Sequence, residues 1–363
     1  MDAAEALARQ LQERFLIGGN FVLAGPAGGS FAKRPGSVQA VTTDAFEDVY
    51  DDAGFAGLAV QAVGFEHGVD SPTVHVYVTK GSKKAEREVE ATEGPLKVRI
   101  NRVGRVTVRP EAASTSVHRG QVFVHDGRIA CGSSCAPSGE NYAGTFGAIL
   151  RVGGDLHILS NNHVLAACNH TPIGVPILSP SPKDASANPQ VPVPRAIARH
   201  SRICELRSGD PALVAPCHED VAIASLIDSN LVSSRQGAGA ESYDTPSTTD
   251  ALRTGMRVKK WGRTTGLTTG AVESKVLPFA MPYKFNLFSA TVWFTEVWTI
   301  RADQGTSFAL GGDSGSLVVD ESGSHAVGLV FAATGAGDLA YVVPMAHVLT
   351  CFGGASLVRG HHA

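Results

Sequence analysis

From residue 143 onward the chain is written as short apolar runs broken by glycine, proline, serine and threonine, with no long helical pattern alternating between them. Residues 146–152, 156–159, 221–226, 257–260, 290–300, 317–319 and 326–331 each read as a strand. Many short strands without crossover helices point to an antiparallel barrel or sandwich rather than a parallel sheet. The 40 glycines and 19 prolines supply the turns that such a fold consumes. Two Pro-, Ser- and Ala-rich stretches, 170–195 and 233–249, read as surface loops.

A length of 363 residues favours two domains, and the boundary is placed at the Ser- and Thr-containing stretch 110–120. Residues 1–120 are then a small α+β domain, and 121–363 carry the chemistry. Within the first part, Ala3, Leu7, Leu11 and Phe15 fall on one face of a helix over 2–16. Residues 73–79 alternate as a strand, 97–100 and 103–108 read as a strand pair, and the charged stretch 80–90 is a helix or a solvated loop.

Thirty-one basic against 34 acidic residues leave a net charge of only -3, so no global field draws the chain to nucleic acid or anionic lipid. No apolar run approaches the roughly 20 residues of a spanning helix. The first residues are acidic and lack the pattern of a signal peptide, from which a cytoplasmic setting is expected. In that setting most of the six cysteines (131, 135, 168, 204, 217 and 351) stay thiols. Cys131 and Cys135 with His118 and His125 lack the second tight pair of a zinc site, so no metal or cofactor is expected.

The chemistry starts from Gly-Gly-Asp-Ser-Gly-Ser at 311–316, followed at once by the apolar run Leu317, Val318, Val319. Glycines beside a serine permit a tight turn that exposes the hydroxyl and aims neighbouring N–H groups at one point, where a developing oxyanion can be bound. Ser314 as nucleophile needs a base. Of 13 histidines, His163 stands at the mouth of the 156–159 strand, after Ser160, Asn161 and Asn162. Asp220 opens the run Val-Ala-Ile-Ala, where a carboxylate is costly to bury without a strong partner, which suits it to orient a histidine. Glu219, Asp210 and Asp228 read as solvated loop acids. The chain order is His, Asp, Ser, and Ser316 stands where a G-x-S-x-G elbow needs glycine.

The segments Ser-Asn-Asn-His-Val-Leu-Ala at 160–166, Asp-Val-Ala-Ile-Ala at 220–224 and Gly-Asp-Ser-Gly-Ser at 312–316 resemble the trypsin-like serine peptidases. The run 258–270, Val-Lys-Lys-Trp-Gly-Arg-Thr-Thr-Gly-Leu-Thr-Thr-Gly, more narrowly resembles bacterial members related to the plant narrow-leaf protein. The resemblance covers about residues 140–350. It implies a mainly β, chymotrypsin-like double β-barrel, with His163 and Asp220 on the first barrel, Ser314 on the second, and the Gly312 and Ser314 amides as oxyanion hole. By the same analogy Phe308, Leu310, Phe331, Ala332 and Ala333 border the first specificity pocket, which holds no acid and suits a small or apolar side chain. The chain has no Ile-Val-Gly-Gly-like start before the first barrel, so activation by burying a new N-terminal amine against Asp313 is not expected. Cys168 could pair with Cys204 or Cys217, and Arg263 reads as a hairpin residue with its charge in water.

The resulting expectation is a serine endopeptidase that cleaves polypeptides through an acyl-enzyme, with residues 1–120 regulating it, docking substrate or a partner, or inhibiting it. Two readings stand against it. One is a protein-binding module on a protease fold without constitutive activity. The other is an esterase on the same triad, which by itself does not choose the leaving group.

Overall fold

The computed structural model describes residues 3–17, 59–81, 83, 86–87, 96–104, 106–108, 121–187, 191–209, 217–285 and 288–363. The first barrel portion contains β4 (Val124–His125), β5 (Arg128–Cys131), β6 (Ser134–Pro137), β7 (Gly144–Thr145), β8 (Ala148–Val152), β9 (Asp155–Ser160), β10 (Pro176–Ser179), β11 (Arg195–Ile203), β12 (Ala222–Leu226), β13 (Val232–Gln236) and β14 (Tyr243–Asp244). The second contains β15 (Arg257–Gly262), β16 (Gly266–Val276), β17 (Phe279–Phe285), β18 (Phe288–Phe294), β19 (Val297–Ala302), β20 (Leu317–Asp320), β21 (Ala326–Ala333) and β22 (Leu339–Pro344). A helix at Met345–Cys351 follows, and β23 (Ser356–Leu357) returns to pair with β8.

Strands β15, β20, β21, β22, β19 and β16 pair in that order, and β15 pairs again with β16, which closes a barrel of six strands. The sheet β23-β8-β9-β12-β11-β10-β6-β7 curls into a half-barrel. This is the chymotrypsin-like double-barrel architecture.

Period-two alternation explains why the strands read as continuous apolar runs, since both faces are buried. Val258, Val272, Ile300, Val318, Val330 and Val342, one from each closed-barrel strand, share a single cluster. Their neighbours Leu317, Val319, Leu329 and Tyr341 belong to another cluster, together with Leu150, Leu159 and Ile223 of the first portion. That second cluster is the seam between the barrels, and the site lies at its edge.

At the N-terminus, α1 (Ala3–Ile17) precedes β1 (Ala59–Phe65), β2 (Thr73–Lys80) and β3 (Lys97–Arg102). Strand β1 pairs with β16 through Gly64 opposite Val276 and Phe65 opposite Lys275, so these three strands extend the sheet of the closed barrel. Burial on α1 falls on Ala4, Leu7, Ala8 and Leu11, packed with Val60, Val63, Val74 and Val76. Ala3 is exposed, because the buried stripe follows the i, i+3, i+4 pattern rather than a strict four-residue step. The side chain of Phe15 and the boundary stretch 110–120 lie outside the described residues, as does most of 80–90.

Other expectations are corrected. Among the described residues of 103–108 no pairing with β3 is formed, and β3 pairs in parallel with β2; Val108 bridges instead to Tyr283. The loop expected over 170–195 contains β10, whose proline stands at the first strand position, where a missing N–H is tolerated. The loop expected over 233–249 contains most of β13 and all of β14. The single strand read over 290–300 is two, β18 and β19, and β18 forms a hairpin with β17 that joins no other sheet among the described residues. Cys204 is disulfide-bonded to Cys351 of the C-terminal helix, while Cys168 and Cys217 are free and buried, so Cys168 pairs with neither expected partner. No helix among the described residues is long and apolar enough to cross a membrane.

Truncating Leu11 to alanine removes a side chain only 1% exposed between α1 and the β1–β2 face. A loss of about 2–5 kcal/mol is expected in urea denaturation, and an unchanged midpoint would show that α1 does not contribute to the fold.

Candidate active site

Strand β9 runs antiparallel to β12, with Ser160 opposite Ala222, so the end of one lies beside the start of the other. His163 sits in the short helix Asn162–Leu165 just past β9, and Asp220 lies just ahead of β12. The Asn161 side-chain amide donates to the Asp220 carbonyl at 2.6 Å and ties the two ends together. Asp220 has no exposed surface, and its carboxylate accepts from the His163 backbone N–H at 3.1 Å and from Nδ1–H at 2.5 Å. A buried carboxylate needs such donors to remain charged. That bond engages Nδ1 and leaves Nε2 as the other ring nitrogen.

Ser314 lies in the turn ahead of β20, between Gly312 and Gly315, both at φ +94°. That left-handed backbone, and the lack of room for a Cβ beside Arg263 and Thr264 at the first and Ser160 at the second, require glycine. The turn is stitched to the first barrel. Thr145 donates its N–H to Ser314 O at 2.8 Å and its hydroxyl to Gly312 O at 2.9 Å. Within the turn, the amides of Asp313, Gly315 and Ser316 bond to Leu310, Val330 and Asp313 carbonyls. Among the described residues those of Gly312 and Ser314 donate to no protein group. The Ser314 hydroxyl donates to Phe331 O at 3.3 Å, and no hydrogen bond joins it to His163 in this conformation.

Asp313 is fully buried beneath the turn. Its carboxylate accepts from the N–H groups of Thr264 (2.8 Å), Thr265 (3.2 Å) and Leu310 (2.9 Å) and from the Thr265 hydroxyl (2.8 Å). Lys260 Nζ stands 3.6 Å away. Burial pulls the Lys260 ammonium below its ordinary range, and Asp313 opposes that fall. An internal cation thus stands beside Asp313 without any new N-terminus.

Arg263, expected in water, is 2% exposed. Its guanidinium donates Nε–H to Asp184 Oδ2 at 2.9 Å and pairs through Nη2 with Oδ1, joining the β15–β16 turn to the helix Pro182–Ala187 of the first portion. Burial pushes the Asp184 carboxyl up, but Arg263 and the hydroxyls of Ser134 and Ser181 outweigh it and hold the group below its usual value.

Of the residues expected around the specificity pocket, Leu310 and Ala333 are half-buried beside the turn, and Ala332 is 7% exposed. Phe308 and Phe331 have no exposed surface: Phe308 packs in the barrel interior, Phe331 against Phe294 at a centroid distance of 5.0 Å. Among the competing acids, Asp228 caps the turn Ser229–Leu231, Glu219 is pushed up to about 7 by burial against the pull of Arg207, and Asp210 lies outside the described residues. Cys131 and Cys135 are buried thiols, and His118 is outside the described residues. Among the described residues the one cluster of metal-ligand type is Cys204, Glu219 and Cys351, whose two sulfurs are bonded to each other.

Sequence reasoning missed Thr145, Asp184, Lys260, Tyr283 and Phe285. Tyr283 donates its hydroxyl to Asp220 Oδ2 at 2.7 Å, and the Phe285 ring lies 5.7 Å from that of His163. Lys260 lies within the run 258–270; the other four carry no local signal.

No family model matches the sequence, and no curated protein does. Solved structures that resemble the chain include bacterial trypsin- or chymotrypsin-like serine proteases, all at low identity. Protease A of Thermobifida fusca is 19% identical, with 64% of this chain and 100% of that one covered and a TM-score of 0.43. A glutamic acid-specific serine protease is 17% identical over 63% of this chain and 100% of its own, at 0.43, and a Cellulomonas bogoriensis chymotrypsin is 16% identical over 63% and 97%, at 0.41.

Replacing Asp184 by asparagine removes the carboxylate paired with the buried Arg263 guanidinium, at an expected cost of about 3–5 kcal/mol near neutral pH. Because the native carboxyl is held below its ordinary 3.8, its contribution is present above that pH and lost as pH falls through the lower native value. Urea midpoints against pH should therefore converge for the two proteins at acid pH. A constant gap would assign the loss to packing.

Proposed function

We propose that this chain is a serine endopeptidase acting through Ser314, His163 and Asp220. The observation that carries the reading is the hydrogen-bonded His163–Asp220 pair on one barrel, facing a serine turn on the other in which the Gly312 and Ser314 amides are free. In the reaction, Ser314 Oγ attacks the scissile carbonyl and passes its proton to His163 Nε2, while Asp220 holds the imidazolium through Nδ1–H. The tetrahedral oxyanion is bound by the two free amides. The amine leaves with the proton from His163, and water repeats the sequence to release the acyl group from Ser314.

The half-buried Leu310 and Ala333, with Ala332 beside them, form the wall that meets the substrate side chain before the cut bond, and their character favours small or apolar residues there. Kinship with the bacterial relatives of the narrow-leaf protein belongs to the same reading. The resembling run folds as the β15–β16 hairpin that carries Lys260, Arg263, Thr264 and Thr265 against the serine turn. The cytoplasmic setting sits against the Cys204–Cys351 disulfide, since such bonds persist where the compartment is oxidising.

A second reading, a protease fold used for binding without constitutive activity, is favoured by one feature. His163 is 4% exposed, beneath Phe285, and the serine hydroxyl is turned to Phe331 O.

Incubation with a fluorophosphonate, followed by intact mass, separates the two. Stoichiometric labelling is expected for wild type and none for Ser314→Ala or His163→Ala; a folded wild type that stays unlabelled supports the binding module. For residues 1–120 we propose a regulatory or docking role rather than that of a removable inhibitor. Deleting them strips β1 from β16 and exposes Leu277, so loss of soluble folded protein is expected. A soluble, more active truncation would establish an inhibitor.

A further inference from the structure

Beyond His163, one side chain among the described residues reaches the Asp220 carboxylate. Tyr283, within β17, is 1% exposed and donates its O–H to Oδ2 at 2.7 Å, the oxygen that also accepts His163 Nδ1–H at 2.5 Å. The other oxygen accepts the His163 backbone N–H, so among the described residues Tyr283 is the one side chain besides His163 that donates to this carboxylate.

The phenol is held from several sides. Val108 N–H donates to Pro282 O at 2.9 Å and Lys284 N–H to Val108 O at 2.8 Å, which brackets Tyr283 between two backbone bonds from the N-terminal portion. Its ring stacks on Phe294 at 6.3 Å and meets His163 edge-on at 6.2 Å. Bridges from Ser208 to Val292 and from Cys217 to Phe294 fasten the other strand of the hairpin to the first barrel portion. A hydroxyl so placed is preorganised and costs little to order.

We propose that Tyr283 is a positioning residue of the triad, whose O–H holds the Asp220 carboxylate and shares its charge with His163, thereby setting the pH range in which His163 acts as base. The inference rests on the triad reading above. Two donors on one oxygen compete for it; without the phenol, Oδ2 is left to His163 alone, the Nδ1–H bond tightens and the imidazolium is favoured. Burial, with Asp220 adding to it, drives the Tyr283 hydroxyl far above its ordinary range, so it remains a donor at any working pH. The nearby Cys168 and Cys217 thiols are likewise pushed up, first by burial, with Asp220 adding to it. Glu219 precedes Asp220 in the chain, with Arg207 acting on it and on Cys217.

The test compares full-length wild type with Tyr283→Phe, which keeps the ring and deletes the O–H. The rate of fluorophosphonate labelling is followed against pH. The limiting rate should fall roughly tenfold, the scale of one hydrogen bond to a charged group, and the acid limb should move to higher pH. Superimposable profiles, or a slower rate with an unmoved limb, overturn the proposal. Should wild type not label at all, the peptidase reading fails by itself, while the Nδ1–H proton resonance of His163, assigned by its loss in His163→Ala, still reports on Tyr283. That resonance should move downfield in Tyr283→Phe, and an unmoved line overturns the proposal. If the phenylalanine variant does not fold, fluorotyrosine placed at 283, a more acidic donor, should shift the line upfield; no shift again overturns it.

Discussion

The arrangement around the serine depends on one buried charge. Asp313 has no exposed surface, and a carboxylate in such a place persists only when its lone pairs are filled. They are filled by Thr264, Thr265 and Leu310, with Lys260 alongside, and every one of these except Leu310 belongs to the β15–β16 hairpin. The carboxylate therefore joins the serine turn to that hairpin, and among the described residues the Gly312 and Ser314 N–H groups donate to no protein acceptor. The next residue along, Arg263, carries the hairpin across to Asp184 on the first barrel portion. The same hairpin turn that holds the serine turn thus also ties it to the first barrel portion.

Close approach at the seam follows from the same economy of side chains. Gly147 and Gly315 meet where a Cβ on Gly147 would run into the Gly315 carbonyl, and Ser160 donates to Thr145 O at 2.6 Å beside them. The end of β9, the strand that presents His163, is therefore fastened through β7 to the turn that presents Ser314. At this contact the histidine and serine segments are held by backbone and short side chains, whose ordering costs little entropy.

The features legible in the sequence were those whose cause is local. A glycine-flanked serine ahead of an apolar strand, a histidine just past a strand and an acid just ahead of one each announce themselves within about six residues, and alternation marks most barrel strands. Tyr283 and Asp184 carry no such mark, because what defines them is a partner 63 or 79 residues away. Arg263 was misread for that reason: a cation on a hairpin belongs in water unless the fold brings it a carboxylate. Strand β10 was hidden by its own composition, since prolines on both sides of Ile177–Ser179 read as loop. The break between β18 and β19 falls at Thr295 and Glu296, with no glycine or proline to show it. The Cys204–Cys351 bond joins residues 147 apart, which spacing alone does not reveal.

The resting geometry also bears on whether the site is locked or merely at rest. The Ser314 hydroxyl is engaged by a single bond of 3.3 Å to a carbonyl, an interaction worth about 1 kcal/mol. So weak a hold on the hydroxyl is not what restrains the site. The larger restraint is the β17–β18 hairpin, which lays Phe285 against the histidine ring and against Tyr142 at 5.7 Å in each case. Its hold is divided between Val108 on one side and Ser208 and Cys217 on the other. This hairpin covers one side of the His163 ring, and the residues that fix its position lie largely outside the segments that carry the histidine, acid and serine motifs.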